Sequence, residues 1–175
     1  LARLDGAALA DAFQVRDLNP LEGLDGRARL LNRLGQTVDA RPALFALHDA
    51  PRPGGLYDVL KARAASGVLA APVVLEVLLE ALGPIWENRP VLDGVPLGDC
   101  WPHPQLGYTP LHKLSQWLAY SLIEPLEATG MRIVELDGLT GLAEYRNGGL
   151  FIDAGVLVPS EDAARVYTVS DPEIV

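Results

Sequence analysis

Before residue 85, apolar positions recur at spacings of three and four, broken at short intervals by Gly and Pro, which is the pattern of successive short helices. The first helix is expected over residues 4–13, with Asn19-Pro20 as the break. The second is expected over residues 26–34, where Leu30, Leu31 and Leu34 share one face and Gly35 offers a C-cap. Arg41-Pro42 can open a short helix before the loop at residues 50–55. Residues 56–65 are helical by period, and Gly67 stops them. Pro72 suits the first position of a helix through Val73, Leu75, Leu78 and Leu79 that closes at Gly83-Pro84.

The periodicity dissolves over residues 85–110. This segment holds Pro90, Pro96, Pro102, Pro104 and Pro110 together with Trp86, Trp101 and Tyr108, and reads as a long loop of the kind that is functional when ordered. A well-marked helix follows, with Thr109 as N-cap, Pro110 at N1 and Pro125 where it should bend or stop. Residues 131–136 and 150–158 read as strands, and Asn147-Gly148 as the tight turn leading into the second. The expected fold is mainly α (α+β): a helical domain spanning residues 1–175, with a small β-hairpin near the C-terminus and no parallel α/β sheet.

Projected at 100° per residue, the helix over residues 111–126 has two faces. Leu111, Leu114, Leu118, Leu122 and Leu126 form one stripe, expected to face the core. Lys113, Gln116, Trp117, Tyr120 and Glu124 lie opposite, with His112 at the margin. That second face is either a solvated surface or one wall of a pocket for a flat polar ligand. Its Trp and Tyr, which water does not require, favour the pocket.

Composition narrows the classes. The chain has 175 residues, 49% hydrophobic and 21% charged, enough apolar material for a folded core. Its net charge of 14 − 23 = −9 argues against a nucleic-acid partner. No uninterrupted apolar stretch is long enough for a membrane span, because Glu76, Glu80 and Glu124 interrupt the greasiest segments. The lone Cys100 excludes an internal disulfide and suits a reducing, cytoplasmic setting. Cys100, His103 and His112 are too irregularly spaced to suggest a metal site, and no cofactor is expected. The chain opens at Leu1 directly into an amphipathic pattern, which suggests a fragment of a longer protein.

A second polar constellation runs from Asp137 through Thr140-Gly141 to Glu144, Arg146, Asn147 and Gly149. Glycines let backbone N–H groups approach an anion, and Arg can hold a phosphate in a bidentate manner; equally, Asn-Gly-Gly can be a plain turn and Arg146 can pair with Glu144. The stretch from Ile133 to Gly141 half fits a phosphoribosyltransferase loop, but its acids are not adjacent, the loop is short, and the preceding chain lacks alternating strands and helices.

The strings Leu97-Gly98-Asp99-Cys100-Trp101, His112-Lys113-Leu114-Ser115-Gln116-Trp117-Leu118 with Tyr120-Ser121-Leu122-Ile123-Glu124-Pro125, and Leu139-Thr140-Gly141-Leu142 through Glu144-Tyr145-Arg146-Asn147-Gly148-Gly149 resemble one family. It is the uracil-catabolism family of bacteria and fungi, the URC/URG pathway, whose members are often labelled uracil phosphoribosyltransferases. The likeness extends over essentially the whole chain, and members of that family run to roughly twice its length. It implies an enzyme acting at an N-ribosidic bond of a ribosylurea- or nucleotide-like small molecule. Such chemistry needs a carboxylate for an oxocarbenium-like centre, for which Glu144, Asp137 and Glu124 are the candidates. Gln116, Asn147 and His112 could hydrogen-bond a ureido group, Lys113 and Arg146 could hold phosphate, and Trp117, Tyr120 or Trp101 could form a stacking wall. Two rival readings stay open: a true uracil phosphoribosyltransferase using residues 137–141, and a non-catalytic partner of another enzyme of the pathway. Oligomeric state is open as well.

Overall fold

A computed structural model describes residues 3–47, 50–103, 105–142 and 145–160. Helix α1 (Gly6–Ala12) starts where the Asp5 carboxylate accepts the Ala8 N–H at 2.7 Å, a side-chain N-cap. Helix α2 (Leu24–Ala40) runs through Gly35, which is buried inside it and is not the expected C-cap. It ends at Arg41 (φ −127°), because the residue before Pro42 is pushed out of the helical region. The short α3 (Pro42–Phe45) buries Phe45 completely. The two-residue strands β1 (Ala46–Leu47) and β2 (Ala50–Pro51) then pair antiparallel. A 3-10 turn at Pro53–Gly55 follows, and Gly55 is required there, since a Cβ would sit 2.5 Å from the Phe45 carbonyl carbon.

Helix α4 (Leu56–Arg63), strand β3 (Val68–Ala70) and helix α5 (Ala71–Leu82) carry most of the core. Val74, Val77 and Ala81 of α5 are essentially inaccessible. Arg63 of α4 forks onto Glu76 and Glu80 of α5 at 2.9 and 3.0 Å. A 3-10 turn at Gly83–Ile85 closes α5, as Gly83-Pro84 led one to expect.

The segment over residues 85–110 is not a featureless loop. It folds into two antiparallel ribbons, β4 (Val91–Leu92) with β5 (Val95–Pro96), and β6 (Cys100–His103) with β7 (Gly107–Pro110). His103 Nδ1 accepts the N–H groups of Gln105 and Leu106 at 3.1 and 3.2 Å and so closes the second ribbon's turn. Prolines are tolerated here because both ribbons have only two strands, so each strand has one edge that needs no donor.

Helix α6 (Lys113–Ala128) begins three residues beyond the expected start: Thr109 and Pro110 belong to β7, and His112 (φ 45°) is the N-cap. Pro125 lies within the helix and does not end it. Its faces also differ from expectation. Ser115, Gln116, Ala119 and Leu126 are buried, whereas Leu114 and Leu118 of the expected core stripe are 45% and 39% exposed. The small Ala119 (0% exposed) lets α6 close against α5, and that approach turns Leu114 and Leu118 outward.

Strand β8 (Arg132–Val134) does not enter a C-terminal hairpin. It pairs parallel with β3, Leu69 opposite Ile133, and both side chains are buried in the core. A 3-10 turn (Leu136–Gly138) follows, and residues expected to form the turn and second strand instead belong to helix α7 (Tyr145–Asp153). Asn-Gly makes a hairpin only when two strands can register around it, and β8 already has its partner 64 residues upstream. The fold is mainly helical, with the strands confined to four two-stranded pairs among the described residues. None of its helices is long and apolar enough to cross a membrane, again among the described residues.

Candidate functional site

The ribbon β6–β7 returns the chain to α6, and Asp99 holds that junction. Its backbone carbonyl accepts the N–H groups of Leu111 and His112 at 3.0 and 2.9 Å. Its carboxylate accepts the Trp101 indole N–H at 2.7 Å and the Lys113 backbone N–H at 2.9 Å. A carboxylate on the first N–H of a helix also meets the positive end of the helix dipole. The helix starts at Lys113 because Thr109 and Pro110 are paired with Trp101 and Cys100 in the ribbon and His112 is left-handed (φ 45°).

Beside this junction lies a cavity of about 200 Å³ lined by Trp86, Arg89, Asp99, Lys113, Leu114 and Ser115. The Arg89 guanidinium lies 4.6 Å from the centroid of the Trp101 ring, and its Nε is buried with no hydrogen-bond partner among the described residues. Two cations against one carboxylate give this wall a positive balance in a chain of net charge −9. His112 Nδ1, beside Gly98, is buried and unpartnered too. Burial lowers the His112 pKa below its ordinary 6.5, with Asp99 pulling the other way, so the neutral imidazole is favoured. Burial, and then Asp99, raise the pKa of the Cys100 thiol, which makes it a poor nucleophile at neutral pH.

The polar face of α6 contacts Thr140, in the segment after β8, directly. Gln116, 5% exposed, donates its amide to the Thr140 hydroxyl and accepts the Thr140 N–H at 2.8 Å. The Tyr120 hydroxyl donates to the Thr140 carbonyl at 3.1 Å. Gly138 sits so close to Pro72 that a Cβ would come within 2.5 Å of Cγ. Residues 136–140 are therefore strapped down as packing, with their turn pressed on α5 and Thr140 fully engaged.

Of the residues singled out in the sequence, the structure places Lys113 on the cavity wall and brings Trp101 and His112 to the same junction. Gln116 and Tyr120 are committed to Thr140, and Trp117 is 56% exposed on the outer side of α6. Asp137, Glu124 and Asn147 are exposed and are not among the residues lining the cavity. Glu144 lies outside the described residues, as does the side chain of Arg146 at the start of α7. Cys100, His103 and His112 do not converge: no three His, Cys, Asp or Glu side chains among the described residues are grouped as metal ligands.

Trp86, Arg89, Asp99 and Ser115 were not identified as site residues from the sequence. Asp99 stands in a quoted string, Leu-Gly-Asp-Cys-Trp, but its role as a cap acts across fourteen residues, where no local spacing rule reaches. Arg89 and Trp86 sit in the Pro-rich segment, whose return path only the ribbons reveal.

The model of a family described as "Protein of unknown function (DUF1688)" matches residues 1–173. The chain belongs to that family. It is 38% identical over 183 residues to "Uracil catabolism protein 4" of Lachancea kluyveri, a match covering 94% of this chain and 41% of that protein. It is also 38% identical over 180 residues to "Protein urg3" of Schizosaccharomyces pombe, covering 100% of this chain and 43% of that one. The chain thus spans about two fifths of the length of the curated relatives it matches. These relatives agree with the likeness to the uracil-catabolism family read from the sequence. No solved structure matches the chain.

Proposed function

We propose that this family member acts in uracil catabolism, binds an N-ribosylated ureide or pyrimidine in the cavity at the start of α6, and serves a reaction at its N-ribosidic bond. The cavity itself is the observation that carries the reading: an indole wall, a guanidinium and a carboxylate converge where two segments meet, suited to a flat polar molecule. The name of the Lachancea relative supports the pathway. Glu144, Asp137 and Glu124 stay the proposed carboxylates, with Glu144 first in line because Asp137 and Glu124 are exposed and do not line the cavity. Uridine, uridine 5′-monophosphate and ribosylurea, each incubated with the protein, test the reaction through chromatographic detection of released uracil or urea. Release that disappears in Glu144→Gln supports the reading, and failure of all three compounds to bind or react overturns it.

The transferase alternative fares less well, because residues 136–140 are held by Pro72, Gln116 and Tyr120 and offer no open phosphate cradle. Formation of a nucleotide from uracil and phosphoribosyl pyrophosphate would restore it. An interaction role has one observation in its favour: Leu114, Trp117 and Leu118 form an exposed apolar strip along α6.

A further inference from the structure

The cavity at the start of α6 has a polar end that the reading above leaves unused. Ser115 is 7% exposed and lines it, and its hydroxyl makes no hydrogen bond among the described residues. The residue is buried and lines the cavity, where a ligand can fill the hydroxyl's bonding capacity. Next to it stand the N–H groups of Leu114 and Ser115, the second and third of α6. They precede the first intrahelical bond, from the Gln116 N–H to the His112 carbonyl at 2.8 Å. On the facing wall is Arg89, stacked on Trp101, with its buried Nε lacking a partner.

The geometry points to an oxyanion subsite, built for the phosphate of a phosphomonoester, between Ser115, the first turn of α6 and Arg89. Each group supplies what a phosphate needs: a fixed guanidinium donor, a hydroxyl donor, and backbone N–H groups at the positive end of a sixteen-residue helix. The Asp99 carboxylate accepts the Trp101 indole N–H and the Lys113 N–H, the latter one position earlier in the helix than Leu114. Lys113 adds positive charge to the wall whatever else it contacts. The Trp86 side of the cavity then receives the group that carries the phosphate. The inference deepens the proposed function, assigning its substrate to the phosphorylated class, and it rests on that reading for the identity of the rest of the ligand.

Inorganic phosphate and ribose 5-phosphate, titrated at constant ionic strength with tryptophan fluorescence as readout, test it, with ribose as the unphosphorylated comparison. A saturable response is expected to phosphate and to ribose 5-phosphate but not to ribose. Ser115→Ala and Arg89→Gln should each weaken it roughly tenfold or more, the scale of one lost charge-assisted hydrogen bond. Arg132→Gln, exposed on β8, should leave it unchanged. Should Arg89→Gln fail to fold, Ser115→Ala decides, because it removes only one oxygen. No saturable response in the wild type, or undiminished binding in Ser115→Ala, overturns the subsite. Phosphate binding with no N-ribosidic cleavage would uphold the subsite and remove the proposed reaction; cleavage equally fast for phosphorylated and unphosphorylated substrates would do the reverse.

Discussion

Helices α5 and α6 pack against each other, and both are rich in aliphatic residues, yet they dispose of them in opposite ways. In α5 the apolar positions Val74, Val77 and Leu78 are at most 2% exposed. In α6 the buried positions are Ser115, Gln116, Ala119 and Leu126, and Leu114 and Leu118 are turned out. Leu118, Leu122 and Leu126 form one wall of an apolar groove of about 370 Å³, opposite Leu78 and Leu82 of α5 and Leu34, Leu56 and Leu60. α5 is covered by α4, β3, the 3-10 turn before residue 139 and α6, so any apolar side chain on it finds a neighbour. α6 packs against α5 and β8, and its buried small and amide side chains bring Thr140 in. An apolar stripe thus marks a helix but does not say which way the helix faces.

The sharpest way to break this comparison is to make the same change on both helices. Leu78→Ala should cost about 2–5 kcal/mol in chemical denaturation, the usual range for a buried leucine. A cost like that of a surface site would mean α5 is not the centre of the core. Next in size is Gln116→Ala, which removes both bonds between the buried amide and Thr140, for about 0.5–1.5 kcal/mol each. Its local signature should be faster hydrogen exchange at the Thr140 amide; unchanged exchange would show that the strap does not depend on this side chain.

The junction adds a pH dependence that α5 lacks. The native pKa of His112 is lowered by burial, so the unfolded chain takes up its proton first as pH falls. Its contribution is full above the ordinary value of 6.5 and is lost as pH drops through and below it. His112→Gln should flatten that loss in denaturation midpoints measured across the window; an unaltered slope would assign it to carboxylates. The smallest effect is Leu118→Ala, expected at under about 1 kcal/mol because the side chain is 39% exposed. A loss as large as that of Leu78→Ala would put Leu118 back in the core.

Much of the helical order was legible because its signals are local. Pro42, Pro72 and Gly83-Pro84 act on their own or adjacent backbone, and helix boundaries fall beside them, whereas α1 ends at Ala12, well before Asn19-Pro20. The candidate site was less legible. Lys113, with His112 at the margin, was marked as part of the polar-aromatic face of the helix and Trp101 as an aromatic of the Pro-rich segment, and the three lie at one junction. Arg89 and Ser115 carried no such mark, since an arginine in a Pro-rich stretch and a serine in a helix look ordinary until a cavity lies between them.

By itself, then, the sequence determined a mainly helical chain, the approximate helices before residue 85, and the residue types available for chemistry, because each follows from torsional preference and composition. Tertiary structure alone decided three things: the parallel pairing of β8 with β3, the inward turn of Gln116, and the start of α6 at Lys113. Each depends on a partner far along the chain. A strand accepts whichever edge the collapsed core presents, a helix buries whichever face its neighbours cover, and Asp99 caps a helix fourteen residues away only after a ribbon has carried the chain back.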